Sequence, residues 1–230
     1  MDLMPTGTTA DERRLPVAVL PIGSHEQHGP HLPLITDTLV AGAVAALVAE
    51  AYPVRRLPPL PLSCSHEHAA FPGTVSLSAT TLAAIVTDVA ASLHRDGVTT
   101  LVLVNGHGGN YVLGNVVQEA SLGPLPMALF PGEVDWYRAR AVAGMETSML
   151  TDMHAGELET SILLHTHPHL VRPPRPDHVA DERPHLLSRG MAAYTESGVI
   201  GRPSLASAEK GRAVLESLVR SFATYLPRGS

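Results

Sequence analysis

Apolar runs alternate with helical patterns along the chain. The runs "LPVAVLPIG" (15–23), "VTTLVLVNG" (98–106) and "LPMALF" (125–130) are rich in apolar and β-branched residues, which is typical of strands buried on both faces. The segments between and after them carry helical patterns instead. Strands that alternate with amphipathic helices favour an α/β domain with a largely parallel sheet that is covered on both faces.

The helical segments have recognisable boundaries and faces. The Ala-rich run "TLVAGAVAALVAEA" follows Asp37, which together with Thr38 is expected to cap it, and it stops before Pro53. A further helix is expected after "GHGGN". The segment 81–97 has one apolar stripe, formed by Leu82, Ile85, Val86, Val89 and Leu93. The segment 207–226 predicts a packing helix with an apolar face of Val214, Leu215, Leu218, Val219 and Phe222.

The other segments suggest how the chain is organised. Residues 15–226 are expected to form a single domain, after a flexible polar segment (1–14) and before a tail (227–230) that resembles a protease-tag scar. The segment "RPPRPDHVADERPH" (172–185) is too rich in proline and charge for a regular element, and we interpret it as a lid or rim loop. The apolar stretch "AVAALVA" suits either the core or a neighbouring subunit.

Composition narrows the classes of function. The chain has 230 residues, of which 44% are hydrophobic, and this is enough for one domain with a full core. Its net charge of −6 argues against nucleic acid and anionic membranes as partners. Cys64 is the only cysteine, so a disulfide framework and a CxxC site are excluded. No apolar run has the length of a signal peptide or a bilayer span, and we expect a soluble, cytoplasmic protein.

Polar clusters follow the first two predicted strands. Glu26, His28 and Asp37 come after the first strand, and "NGHGGN", which contains His107, directly follows the second. Open parallel sheets present their chemistry at the carboxyl ends of their strands, so we expect these clusters to meet at one edge of the sheet. A third cluster, "MHAGELETS" (153–161), opens another helical segment.

The clusters offer carboxylates and imidazoles but no sulfur. This donor set suits divalent ions such as Zn²⁺, Mn²⁺ or Fe²⁺. A pair of ions in a hydrolase needs one carboxylate that bridges both ions, terminal ligands for each, and a shared water whose pKa falls towards neutrality. Glu26 and His28, two residues apart, suit separate ions on either side of a bridge from Asp37. The spacing alone does not establish this arrangement.

Five motifs of the chain resemble those of the creatininase (creatinine amidohydrolase) family. They run in the same order from the first predicted strand to the last predicted helix: "PIGSHEQHGPHLPLITDT", "FPGTVSLS", "VLVNGHGGN", "HAGELETS" and "ESGVIGRPSLASAEKG". The resemblance implies a three-layer α/β/α sandwich, two divalent metal ions per subunit and hydrolysis of an amide or lactam C–N bond. It also implies a homo-oligomeric ring of subunits, a hexamer.

The resemblance assigns metal ligands by position. It implies Glu26, His28, Asp37 as the bridge, and His107 as ligands of two ions, most simply Zn²⁺. Creatininase itself has a further carboxylate two residues after that histidine, where this chain has glycine. By resemblance to members with "NGHGGN", Glu159 is expected to be the fifth ligand.

Helical spacing makes a competing prediction for the third cluster. It pairs His154 with Glu157, three residues on, so the choice between Glu157 and Glu159 stays open. If His154 precedes the helix, this spacing does not apply and Glu159 can reach the ions.

The implied mechanism gives roles to three further residues. Hydroxide between the ions attacks the amide carbonyl, and His154 acts as general acid/base or substrate holder near the leaving nitrogen. The backbone N–H groups of Gly108 and Gly109, expected at the start of a helix, are suited to bind negative charge on the substrate. The other histidines are interpreted as surface or supporting groups, and Glu67 or His31 as candidates to orient ligands.

Three functions compete at this point. The first is a metal-dependent amidohydrolase that acts on a small amide or lactam, although creatinine is disfavoured because Trp136 is the only tryptophan. The second is a peptidase that trims a modified precursor peptide, as the mycofactocin-system members of the family do. It ranks lower, because their "HAG" motif commonly continues with a residue other than Glu157. The third is a non-catalytic metal-bound scaffold.

Overall fold

The computed structural model describes residues 4–11 and 14–227. It contains one sheet of four parallel strands, ordered β2-β1-β3-β4, with bounds β1 Val17–Ile22, β2 Arg55–Arg56, β3 Thr100–Asn105 and β4 Met127–Phe130. The three predicted strands are therefore present, and β2 is an additional edge strand that the sequence pattern did not indicate.

Helices cover both faces of this sheet. Their bounds are α1 Thr36–Ala51, α2 Ala79–Arg95, α3 Val112–Ala120, α4 Glu133–Val142, α5 Glu157–Thr166, α6 Leu186–Arg189 and α7 Ala208–Phe222. Helices α1, α2, α3 and α7 follow the predicted segments. Helix α4 was not predicted, because its charged residues give it little apolar patterning.

Alternate residues of the strands face two different cores. Val17 and Val19 of β1 pack with α1, α5 and α7, whereas Ala18 and Leu20 pack with α2 and α3. Burying each such Val or Leu contributes about 1.5–3 kcal/mol, and this explains why the strands are apolar on both faces. The predicted three-layer α/β/α sandwich is confirmed.

Helix α1 lies against the carboxyl ends of the strands at very short range. A Cβ atom on Gly23 would lie 2.3 Å from the backbone of Thr38, and one on Gly106 would lie 2.4 Å from the carbonyl oxygen of Asp37. Only glycine permits this approach, which brings the first turn of α1 to the edge of the sheet. The stretch "AVAALVA" within α1 packs in the core.

Two local expectations were wrong. Asp37 does not cap α1: the N-cap is Ile35, without a side-chain hydrogen bond, and Asp37 lies in the first turn, where its carboxylate bonds to other segments. Gly108 and Gly109 do not begin a helix, because α3 starts at Val112 after an N-cap at Tyr111, and the glycines form the turn before it.

The proline-rich segment 172–185 has no helix or strand, as its composition predicts. It is tied to the fold by a backbone bridge between His178 and Gly201, and by the Asp177 carboxylate, which accepts hydrogen bonds from Ser204. In the part of the chain that the structure describes, no helix combines the length and apolarity needed to cross a bilayer.

Candidate metal centre

Side chains from separate parts of the sequence meet at the carboxyl edge of the sheet. Glu26 and His28 lie in the loop after β1, and His107 lies two residues after β3. Asp37 reaches the same place from the first turn of α1. All four side chains are buried, with at most 6% of their surface exposed. The structure thus brings together the two clusters that follow the first two predicted strands.

Asp37 lies between two histidines. Its Oδ1 atom is 3.0 Å from His28 Nε2, and its Oδ2 atom is 3.0 Å from His107 Nδ1. The other nitrogen of each ring faces a backbone carbonyl. His28 Nδ1 lies 3.1 Å from the carbonyl oxygen of Glu26, and His107 Nε2 lies 2.8 Å from that of Cys64. Carbonyls only accept, so these nitrogens donate, and each ring turns its other nitrogen towards Asp37.

The charges of this cluster are strongly coupled. Burial raises the pKa of the Asp37 carboxyl, but the charge of His28 and the hydrogen bonds from both histidines outweigh it and hold the pKa well below its usual range. Burial lowers the pKa of His28, yet Asp37 raises it to about 9. For His107 too, nearby carboxylates outweigh burial and raise the pKa well above its usual value. Protons therefore neutralise the carboxylates in the metal-free protein.

The Glu26 carboxylate is the strongest indication of a bound cation. Both of its oxygens are fully buried, and among the described residues neither makes a hydrogen bond of good geometry, although His68 Nε2 and His107 Nε2 each lie 3.2 Å from one of them. Burial raises the pKa of Glu26 to about 8. A buried carboxylate that lacks well-formed hydrogen bonds costs several kcal/mol unless a cation compensates it. Because carboxylates and imidazoles are ligands of Zn²⁺ and Mn²⁺, the residues present fit divalent ions at this site.

His154 faces the same cluster from a strained turn. It precedes α5, and the next residue, Ala155, is fully buried with a φ of 53°. This left-handed conformation is costly for a residue other than glycine and is characteristic of functional sites. His154 Nε2 is 2.6 Å from the carbonyl oxygen of Gln27, and its ring lies 4.2 Å from that of His28. Burial and the positive charge of His28 hold the pKa of His154 well below its usual value.

The two glutamates of α5 point in different directions. Glu159 Oε2 lies 4.0 Å from His28 Nε2, and its carboxylate could share an ion with His28 and His154. Glu157, by contrast, forms a buried ion pair with Lys210 at 2.5 Å and accepts a hydrogen bond from the Thr147 hydroxyl at 2.6 Å. Because His154 precedes the helix, the helical pairing of His154 with Glu157 does not occur.

The predicted substrate-binding glycines line the cleft over the cluster. This cleft has a volume of about 120 Å³, and Gly108 and Gly109 form part of its wall. A Cβ atom at Gly108 would have no heavy atom within 4 Å, so this side of the residue faces open space. The space beside Gly109 is occupied instead by Glu67, whose Oε1 would lie 2.0 Å from a Cβ atom at position 109 and is 3.5 Å from His107 Nε2. Because position 109 has no side chain, the Glu67 carboxylate can approach His107. The role of Glu67 in orienting a ligand stays a prediction.

Sequence reasoning assigned His68 only to the supporting or surface histidines. Its Nε2 atom lies 3.2 Å from Glu26 Oε1, and its ring lies 4.4 Å from that of His154. His68 belongs to a short 3₁₀-helix (His66–His68) in the segment that follows β2. A strand of two residues leaves no apolar pattern, so hydrophobic patterning does not reveal that this segment reaches the same edge of the sheet. His31 is also buried, but its Nε2 faces Thr160.

The geometry can be compared with known proteins. The sequence model of the creatininase family, described as creatinine amidohydrolase, matches residues 4–226. The chain belongs to the creatininase family. Creatinine amidohydrolase from Pseudomonas putida is 29% identical to it over 234 residues, which cover 90% of this chain and 87% of that protein.

Solved creatininase structures share the fold. A crystal structure of creatinine amidohydrolase has a TM-score of 0.78 at 29% identity, covering 93% of this chain and 91% of that one. A structure described as "Creatininase Mn" also has a TM-score of 0.78, at 28% identity, and covers 91% of this chain and 89% of its own. This chain therefore combines the creatininase fold with a buried cluster of side chains that is suited to divalent metal ions.

Peptidases are among the relatives as well. The mycofactocin precursor peptide peptidase of Mycolicibacterium smegmatis is 34% identical over 226 residues, which cover 93% of this chain and 85% of that protein. The comparisons thus support a peptidase and a small-molecule amidohydrolase to a similar degree. The lower rank of the peptidase rested on Glu157, and the carboxylate of this residue is bonded to Lys210 rather than to a candidate metal ligand.

Proposed function

We propose that this creatininase-family hydrolase cleaves an amide C–N bond at two divalent metal ions. The observation that carries the proposal is the arrangement around Asp37. Its two oxygens face two different histidines, while the buried carboxylate of Glu26 beside them makes no hydrogen bond of good geometry among the described residues. One carboxylate shared by two sets of terminal ligands is what a binuclear hydrolase requires.

Five side chains would hold the ions. Asp37 would bridge them, and the terminal ligands would be Glu26, His28, His107 and Glu159. Zn²⁺ is the first choice, and Mn²⁺ or Fe²⁺ would also suit these ligands. When bound, the two ions would lower the pKa of a water between them and polarise the substrate carbonyl.

His154 would handle the proton of the leaving nitrogen. Its Nε2 donates to the Gln27 carbonyl, so in the neutral ring Nδ1 carries a lone pair, and Nδ1 lies 3.8 Å from Glu26 Oε1. A neutral imidazole at the edge of the cleft can take up a proton and then deliver it to the departing amine. Gly108 and Gly109, which line the same cleft, would present backbone to the substrate.

A modified peptide is a second candidate substrate, favoured by the shape of the surface. The cleft adjoins a hollow of about 220 Å³ lined by Cys64, His66 and Leu187, among others. Glu67, Gly109 and Tyr111 line both spaces. A chain of several residues would therefore have a surface to follow beyond the reacting amide, which a small lactam would not use.

A substrate screen tests the proposal. Protein reconstituted with Zn²⁺ or Mn²⁺ is incubated with small amides, lactams and short peptides, and amine release is measured against metal-stripped protein. We expect metal-dependent release from at least one class, and release from peptides alone would favour the peptidase. Metal binding without any release across the panel would contradict the proposal and favour a scaffold.

The two glutamates of α5 provide a matched pair of variants. Glu159→Gln is expected to lower the occupancy of one ion, because it removes a charged ligand, whereas Glu157→Gln is expected to keep both ions. Elemental analysis of the purified variants measures this difference. The reverse pattern would show that helical spacing was the better guide.

Glu157→Gln should instead reduce stability. Removing one partner of a buried ion pair costs about 3–5 kcal/mol, and the Lys210 side chain is 18% exposed, so we expect the free energy of unfolding in denaturant to fall by about 3 kcal/mol. Burial raises the pKa of Glu157, but Lys210 and Thr147 outweigh it and lower the pKa. This contribution is therefore present above the unfolded-state pKa and is lost as the pH falls through the folded-state value.

A further inference from the structure

Gln27 lies between the candidate ligands Glu26 and His28 in the sequence, and its own side chain is hydrogen-bonded to the backbone of Gly29 and Gly198. Only 6% of the residue is exposed. Its amide oxygen accepts from the backbone N–H of Gly29 at 3.0 Å, and its amide nitrogen donates to the carbonyl of Gly198 at 3.1 Å. A backbone N–H can only donate and a carbonyl can only accept, so these two bonds fix which end of the amide is oxygen and which is nitrogen.

Glycine at position 198 makes this placement possible. Gly198 has a φ of +83°, and a Cβ atom there would lie 1.7 Å from the amide oxygen of Gln27. The amide therefore fits against the backbone only because position 198 lacks a side chain.

The fixed amide determines where His68 carries its proton. The amide nitrogen of Gln27 is 2.9 Å from His68 Nδ1 and directs its second N–H there. His68 Nδ1 must accept this bond, so a neutral ring holds its proton on Nε2. That N–H faces Glu26 Oε1 at 3.2 Å.

The backbone of Gln27 acts on the second histidine. Its carbonyl oxygen is 2.6 Å from His154 Nε2, which must donate, so the lone pair of a neutral His154 is on Nδ1. Both neutral rings therefore carry their proton on Nε2. His68 turns this N–H donor towards Glu26, whereas His154 turns its unprotonated Nδ1, an acceptor, towards the same carboxylate.

We propose that Gln27 is a positioning residue that fixes the proton positions of His68 and His154. Atoms of Glu26, His68 and His154 lie close enough to one another to share a cation. His68 is nevertheless no ligand, because Gln27 occupies the lone pair on Nδ1 and Nε2 carries a proton. It instead turns its Nε2–H towards the Glu26 carboxylate. Only the catalytic consequence of this arrangement rests on the proposed function.

Solid-state ¹⁵N NMR of the zinc-loaded protein, labelled at histidine, tests the proposal directly. Protonated and unprotonated imidazole nitrogens have well-separated shifts, and His68→Gln and His154→Gln spectra assign the two rings. We expect an unprotonated His68 Nδ1 in the wild type. In Gln27→Glu a carboxylate faces this nitrogen, which we expect to become protonated, while the His154 nitrogens keep their shifts because the backbone carbonyl remains. A protonated His68 Nδ1 in the wild type, or an unchanged Nδ1 in Gln27→Glu, would overturn the assignment.

Two further measurements keep the proposal falsifiable if Gln27→Glu folds poorly. Gln27→Met retains similar bulk without hydrogen bonds, and loss of such supporting contacts typically costs about 10- to 100-fold in activity or metal affinity. His68→Gln is expected to retain the wild-type metal content, measured by elemental analysis, and loss of an ion would show that His68 is a ligand. Both the NMR and the metal content are read without substrate, so they remain informative even if the amine-release screen finds no hydrolysis.

Discussion

Asp37→Ala is expected to release both metal ions and to reduce amide hydrolysis by at least about 1,000-fold, because water activation at neutral pH depends on the ions. Each oxygen of Asp37 faces a different histidine, so under the proposed function its removal would take a ligand from both ions at once. Loss of a terminal ligand such as Glu159 should affect one ion only. Elemental analysis after dialysis, together with amine release, measures both effects.

An effect of Asp37→Ala on folding has to be distinguished from its effect on metal binding. Asp37 also accepts a hydrogen bond from the Ser24 hydroxyl at 2.7 Å, and Asp37→Asn preserves the size and part of this bonding while it removes the charge. Asp88→Ala, which changes an exposed aspartate of α2, serves as a matched control and should retain both ions. If folded Asp37→Ala protein keeps two ions per chain, Asp37 is not the bridge.

The sequence was sufficient for the architecture wherever burial was complete. Val17–Ile22 and Thr100–Asn105 are buried on both faces, so their apolar runs identified them as central strands, and their order placed Glu26 and His107 at one edge. Strand β2 has only two residues and both are arginines, so hydrophobic patterning could not detect it. Without β2, the segment that carries Glu67 and His68 had no predicted position in the sheet.

Other parts of the site depend on contacts between distant segments. Asp37 was expected to cap α1, since an aspartate at the start of a helix usually does. Its bonds to Ser24 and His107 instead require that Gly23 and Gly106 let the helix approach the strands, and this is a property of packing. Likewise, the pairing of Glu157 with Lys210 joins residues 53 positions apart, and helical spacing could not foresee it.

His154→Gln is expected to reduce turnover by about 100- to 10,000-fold while the protein keeps its metal ions. Proton transfer by a positioned side chain contributes this range of rate, and glutamine can still donate to the Gln27 carbonyl but has no imidazole to exchange protons. His94→Gln, an exposed histidine of α2, is the matched control. Single-turnover amine release and elemental analysis on the same preparations separate chemistry from metal binding. Loss of an ion together with activity would make His154 a metal ligand, whereas unchanged turnover would remove it from the reaction and leave the strained turn at Ala155 without a catalytic purpose.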